Sequence, residues 1–195
     1  RLLANIRGAG AAEFTMVLPL LVLLLFAIID GGRFIWEYNR AEKATQVGAR
    51  MAIVTDVVST GLRDNDFIGV DGLTPGQTIP ASALGSVVCN NSTCTCTGAC
   101  SGVTAARNAT AFTNLVTRMQ DFKPDITPTN VEIVYRGSGL GYAGDPTGMA
   151  ISPLVTVRLT GLQFRPITTL LFATITMPSF ATTLTAEDSV GIASN

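Results

Sequence analysis

The longest apolar pattern lies near the start of the chain. Between residues 9 and 29 the only ionisable side chain is Glu13, and residues 14–29 read FTMVLPLLVLLLFAII without a charge. A helix of about 20 mostly apolar residues covers the roughly 30 Å hydrocarbon layer of a bilayer. An apolar run without a polar face is poorly suited to the core of a small domain. The pattern therefore predicts a transmembrane helix over residues 9–30.

A cleavable secretory signal is the alternative for this segment, because Arg1 and Arg7 resemble a charged n-region. The apolar run is longer than the about 7–15 residues of such a signal. Asp30-Gly-Gly-Arg33 follows it in place of an A-x-A cleavage site. The leading arginines favour a cytoplasmic N-terminus, although the bias is slight because basic residues also follow the span.

Helical periodicity continues beyond the span. Apolar positions between residues 44 and 58 recur at spacings of three and four, which predicts a helical extension over residues 31–58 that packs on a following domain. This stripe consists of Ala44, Val47, Met51, Val54 and Val58.

The remainder, residues 59–195, is expected to form one α+β domain. Residues 60–101 are rich in Gly, Pro, Ser, Thr and Asn and predict a long irregular region. An apolar stripe predicts a helix over residues 103–122, which Lys123-Pro124 ends. The first helix is expected to bury its stripe against a small antiparallel sheet in this domain.

Three runs rich in β-branched residues supply the strands of that sheet. They cover residues 131–135, 154–159 and 175–184, the last on either side of Pro178. The last strand is expected to pair with residues 154–159. The apolar connection over residues 164–172 predicts a short helix or a hairpin arm.

Four cysteines fall in the stretch CNNSTCTCTGAC over residues 89–100. A zinc site is disfavoured, because structural zinc sites use cysteines separated by about two to four residues and Cys94-x-Cys96 is closer. A Cys94–Cys96 bridge would close a very tight ring. Two disulfide pairings remain open: Cys89–Cys94 with Cys96–Cys100, or Cys89–Cys96 with Cys94–Cys100. Disulfides would place the domain in the periplasm or outside the cell.

Composition limits the classes of function. The 195 residues suffice for one domain and an anchor, and a net charge of −1 with 14% charged residues argues against a nucleic-acid partner. The absence of histidine removes the commonest general base and metal ligand. The G-x-G-x-x-G pattern at residues 139–144 precedes Asp-Pro-Thr-Gly, which does not open a helix for a pyrophosphate. No enzyme activity, cofactor or metal is expected.

The N-terminal segment carries a resemblance to a known family. Gly8-Ala-Gly-Ala-Ala-Glu13-Phe14, the apolar run with Pro19, Asp30-Gly-Gly-Arg33 and Ala49-Arg50 together resemble the TadE-like family of the tight adherence (Tad, or Flp) pilus system. The resemblance covers about residues 7–52. It implies a minor pilin or pseudopilin of the bacterial inner membrane, with a pilin-like exported domain, needed for a pilus used in adherence and biofilm formation.

The resemblance also assigns roles to individual residues. It implies a prepilin peptidase that cuts between Gly8 and Ala9, so that residues 1–8 form a leader. Phe14 stands where tyrosine is common in related pilins. Glu13 needs a partner because charge inside a bilayer is costly, and the new ammonium of Ala9, its own or a neighbour's, could supply it.

The expected partners are membrane lipid, other pilins or pseudopilins, the pilus assembly platform and the peptidase. The small residues at positions 9–12 would let neighbouring helices approach closely. The alternative is an uncleaved, membrane-tethered binding or adhesin domain outside the cytoplasm, because relatives of the TadG type keep their N-terminus.

Overall fold

A computed structural model describes residues 6–168 and 173–187 of the chain. The chain divides into two compact units. The first contains the N-terminal part through Asn39 together with Gln163–Thr176, and the second contains Arg40–Leu162 and the chain from Met177 onward. The predicted mixed α+β class, with a long N-terminal apolar helix and an antiparallel sheet, is confirmed.

The main elements follow one another along the chain. The helices are α1 (Ile6–Val54), α2 (Thr60–Arg63) and α3 (Ala109–Gln120). The strands are β1 (Ser86–Cys89), β2 (Cys94–Thr97), β3 (Val131–Arg136), β4 (Leu154–Leu159), β5 (Gln163–Phe164), β6 (Ile175–Thr176) and β7 (Phe180–Thr185).

The N-terminal part of α1 is long and apolar enough to cross a membrane. Its most apolar stretch of 18 residues has a mean hydropathy of 2.5, and none of that stretch is buried. Every residue from Gly10 to Ile29 is exposed. A core helix of a soluble domain would be covered by protein, so this exposure separates α1 from such a helix. The helix fits a single-pass membrane anchor.

The second unit is built on a five-stranded sheet with the order β2-β1-β3-β4-β7, in which every neighbouring pair is antiparallel. The predicted pairing of the last strand with residues 154–159 is confirmed for Phe180–Thr185, with Leu154 opposite Thr185 and Leu159 opposite Phe180. The predicted strand over residues 175–184 is divided near Pro178, and Ile175 and Thr176 pair with β5 instead. Val155, Val157 and Leu159 are fully buried and alternate with more exposed residues, as the period of two requires.

Helix α3 and the last turns of α1 pack on this sheet. The Asn108 side chain accepts a hydrogen bond from the Ala111 N–H (3.0 Å) and so caps the N-terminus of α3. A Cβ at Gly48 of α1 would lie 2.9 Å from Met119 Sδ and 3.3 Å from a Val157 methyl. Glycine at this position therefore allows α1, α3 and β4 to meet closely.

Several predicted features differ from the structure. Helix α1 ends at Val54, so the helical extension predicted over residues 31–58 is shorter than expected. Helix α3 begins at Ala109 rather than at residue 103, because the Asn108 cap fixes its start. The prediction that residues 60–101 are wholly irregular is wrong, since they contain α2 and the β1–β2 hairpin. Both strands have four residues, and β2 reads CTCT with its two threonines exposed, so its sequence resembles a loop. Pairing of β1 with β3 at the other side supports the hairpin.

Tyr135 gives a stability test of the second unit. Its ring is fully buried in β3, and its hydroxyl accepts the Val58 backbone N–H at 3.1 Å. Burial raises the pKa of Tyr135 well above its ordinary value, so the phenol stays neutral. Tyr135→Phe leaves the Val58 N–H without this acceptor, and we expect a loss of about 1–2 kcal/mol in the free energy of unfolding.

The measurement is chemical unfolding of the full chain in detergent, followed by near-UV circular dichroism. Tyr142→Phe is the matched control, because the Tyr142 side chain is 56% exposed. Equal stability of the two variants would show that the Tyr135 hydroxyl contributes nothing.

Candidate functional site

Asp30 lies where the apolar run of α1 ends, and it is buried. One carboxylate oxygen accepts the Ile167 backbone N–H at 2.7 Å. The other accepts the Thr168 N–H at 3.1 Å and the Thr168 hydroxyl at 2.8 Å. Arg33 forms an ion pair with Asp30 at 3.1 Å. A buried carboxylate is costly unless its oxygens are satisfied, and these partners satisfy it.

Aromatic contacts extend this arrangement by one turn of the helix. The Arg33 guanidinium lies 5.5 Å from the centre of the Phe164 ring, within the range of a cation–π interaction. Phe34 meets the same ring edge to face, at 5.3 Å between centroids. Arg33 Nη1 also lies 3.5 Å from the Arg165 carbonyl oxygen. We call the contacts of Asp30, Arg33 and Phe34 with residues 164–168 the Asp30 clamp.

The segment that the clamp holds is a hairpin within the first unit. Gln163 pairs with Thr176 and Phe164 with Ile175, as strands β5 and β6. We call residues 163–168 and 173–176 the arm. Of the two structures predicted for residues 164–172, the hairpin is present at the described ends, and residues 169–172 lie outside the described residues.

A cavity of about 670 Å³ lies between α1 and the arm. Its lining is mostly apolar, with Asp30 and two threonines as the polar exceptions. The helix contributes Ala27, Asp30, Gly31 and Phe34, and the arm contributes Phe164, Pro166, Thr168, Ala173, Thr174 and Ile175.

The residues predicted to act in assembly lie at the other end of the apolar run. Gly8 and Ala9 belong to the helical backbone of α1. Glu13 and Phe14 are exposed, and the Glu13 carboxylate makes no hydrogen bond or ion pair with any residue in 10–168 or 173–187. At about 1.5 Å per residue, Glu13 is roughly 25 Å along the helix from Asp30, so the two carboxylates form separate sites.

The cysteines form two disulfides, Cys89–Cys94 and Cys96–Cys100, which is one of the two pairings that the sequence left open. Cys89 and Cys94 are directly opposite in the β1–β2 hairpin. No cysteine is free, and residues 10–168 and 173–187 hold no cluster of three potential metal ligands among His, Cys, Asp and Glu. The first disulfide cross-links β1 to β2 at the edge of the sheet, and the second joins β2 to the residues that follow it.

The role of Asp30 in holding the arm was not predicted from the sequence. A carboxylate next to an apolar span was a usable signal, because such a group needs partners. Its partners lie 137 and 138 positions away in the chain, and no periodicity or spacing in the sequence points to them.

The N-terminal segment is similar to a known protein family. A family model described as TadE-like protein matches residues 8–50, which confirms the resemblance over that stretch. The matched stretch contains both Glu13 and the helix side of the Asp30 clamp. No curated protein and no solved structure shows significant similarity to the chain.

Proposed function

We propose that this chain, whose residues 8–50 match the TadE-like family, is a minor pilin or pseudopilin that takes part in assembly of a Tad pilus. Its role is structural rather than enzymatic. The observation that carries the proposal is that every residue from 10 to 29 is exposed, on an apolar helix that needs lipid or other helices around it. A pilin subunit uses both environments in turn, first in the membrane and then among its neighbours in a filament.

The first turns of the helix support lateral packing. Gly10, Ala11 and Ala12 are exposed, and a Cβ placed at Gly10 would meet no atom within 4 Å. Small residues allow helix backbones to approach each other closely in lipid. Glu13 then lies at such an interface and requires a positive partner there. The ammonium of Ala9 on a neighbouring subunit, created by cleavage after Gly8, would provide one.

Each part of a pilin subunit of this kind has its own location. The helix anchors the subunit in the bacterial inner membrane with its N-terminus in the cytoplasm. The second unit lies in the periplasm, or outside the cell once the subunit is part of a pilus. The two disulfides support this topology, because such bonds persist in oxidising compartments.

The N-terminus of the mature protein tests this proposal. We expect intact-mass and N-terminal peptide analysis of the protein from its native cells to give Ala9 as the first residue. Gly8→Leu replaces the small residue before the proposed cleavage site with a bulky one. It should prevent cleavage, so that the residues before Ala9 stay attached. A mature chain that keeps residues before Ala9 would instead support a membrane-tethered binding domain of the TadG type.

A further inference from the structure

We propose that the cavity between α1 and the arm binds a phospholipid of the membrane leaflet that faces the second unit. The cavity would receive an acyl chain, and the guanidinium groups of Arg33 and Arg165 would hold the phosphate. This inference rests on the proposed membrane placement of α1 and adds a ligand site at its end.

The position of the cavity along the helix indicates lipid as the occupant. Residues 10–29 form about 30 Å of helix at 1.5 Å per residue, which matches the hydrocarbon layer. The helix residues that line the cavity, from Ala27 to Phe34, begin in the last turn of that layer and continue past it. Trp36 follows and is 58% exposed, in keeping with the tryptophan enrichment of membrane interfaces. The cavity therefore crosses the boundary between hydrocarbon and headgroups.

Exposed apolar side chains continue from the helix onto the arm. Ile28 and Ile29 are 64% and 48% exposed on α1, and Ile167 and Ile175 are 52% and 47% exposed on the arm. Asp30 accepts the Ile167 N–H, and Ile175 lines the same cavity as Ala27, so the helix and arm surfaces adjoin. Exposed apolar side chains on two adjoining elements are typical of an interaction site. At this position along the membrane helix, these apolar side chains would contact the acyl chains of lipids.

The charges around the cavity suit a phosphate. Arg33 uses Nη1 for Asp30 and the Arg165 carbonyl, and its side chain remains 44% exposed. A guanidinium carries five N–H donors, so donors remain for another acceptor. Arg165 is exposed and contributes only its carbonyl oxygen to the clamp. The Arg33 guanidinium lies 5.5 Å from the Phe164 ring, and Arg165 lies between Phe164 and Pro166 in the chain, two residues that line the cavity. Arginine binds phosphate oxygens in a bidentate manner, so these two side chains could reach the phosphate of a lipid whose acyl chain occupies the cavity.

Gly31 provides a steric test of the cavity. Gly31 lines the cavity and Gly32 does not, while a Cβ at either position would meet no atom within 4 Å. Gly31→Leu should therefore fill the space meant for an acyl chain without disturbing the fold. Gly32→Leu is the matched control, with the same added volume on the same helix.

The readout is fluorescence quenching of the full chain in vesicles of phosphatidylglycerol and phosphatidylethanolamine with brominated acyl chains. Trp36 is the only tryptophan, so Trp36→Phe with Ile175→Trp places a single indole at the cavity. We expect strong quenching that Gly31→Leu reduces several-fold and Gly32→Leu leaves unchanged. With bromine on one lipid at a time, brominated phosphatidylglycerol should quench more than brominated phosphatidylethanolamine, and Arg165→Gln should remove that difference.

Two further indoles in the Trp36→Phe background separate the possible failures. Leu23→Trp reports insertion of the span, and Tyr142→Trp reports an exposed position of the second unit. Quenching at Leu23 but not at Ile175 would overturn the lipid site and leave the membrane anchor intact. Quenching at neither would overturn both, and quenching at Ile175 that ignores Gly31→Leu would overturn binding within the cavity.

Discussion

Glu13→Gln is expected to abolish pilus assembly while the subunit remains in the membrane. Glu13 is exposed on a helix surface that neighbouring subunits would cover. An unpaired charge costs on the order of 2.5–3.5 kcal/mol at the bilayer centre and less near the edge, where Glu13 lies, so pairing with a neighbouring Ala9 ammonium would favour association by at most roughly 100-fold. Removing the charge removes that gain. The measurement is the number of pili per cell by electron microscopy, with membrane fractionation to confirm insertion.

Thr15→Ala is the control for Glu13. Thr15 is also polar and exposed within the apolar run, but its hydroxyl donates to the Ala11 carbonyl of its own helix at 2.7 Å. It therefore needs no partner from another subunit, and pili should form normally. Glu13→Asp retains the carboxylate, so cells with this variant should still form some pili. Normal piliation of cells with Glu13→Gln would refute the pairing role.

Asp30→Ala is expected to release the arm from α1 without unfolding the sheet. The carboxylate accepts two backbone N–H groups, one hydroxyl and one guanidinium, and all four lose their acceptor together. Leaving buried donors unsatisfied makes local opening far easier, so amide exchange at Ile167 and Thr168 should become faster by on the order of 100-fold. Hydrogen exchange of the full chain in nanodiscs, read by mass spectrometry, measures this change.

Glu42→Ala is the matched control for Asp30. Glu42 is a carboxylate of the same helix, but it is exposed. Its removal should leave exchange in the arm unchanged, and in both variants exchange of β3 and β4 should stay slow because those strands lie in the centre of the sheet. Unchanged exchange at Ile167 and Thr168 in Asp30→Ala would show that other contacts hold the arm.

Several elements could be predicted because their signals are local. An apolar run of 16 residues without charge, at 14–29, specifies a helix that fits a membrane anchor whatever surrounds it. The alternation in β4 placed Val155 and Val157 on one face, and both are buried. The cysteine spacing predicted disulfides, since proximity along the chain limits the possible pairs. The ordered set of motifs from Gly8 to Arg50 was sufficient to indicate a resemblance to the TadE-like family, whose model matches residues 8–50.

The elements that the sequence did not reveal depend on distant partners. The β2 strand is polar and short, and its place in the sheet follows from β1, which in turn pairs with β3 some 45 positions later. The choice between the two disulfide pairings likewise followed from the hairpin register, which sets Cys89 opposite Cys94. Local composition carries no information about either contact.

The sequence by itself thus determined the apolar helix, the α+β class, the disulfide-bonded segment and the resemblance of residues 8–50 to the TadE-like family, because hydrophobicity and short-range spacing act within a few turns of chain. Only the tertiary structure decided that Asp30 is a buried anchor for the arm and that a cavity opens beside it. Its hydrogen bonds join residues 137 and 138 positions apart, and such contacts arise from how the chain returns on itself.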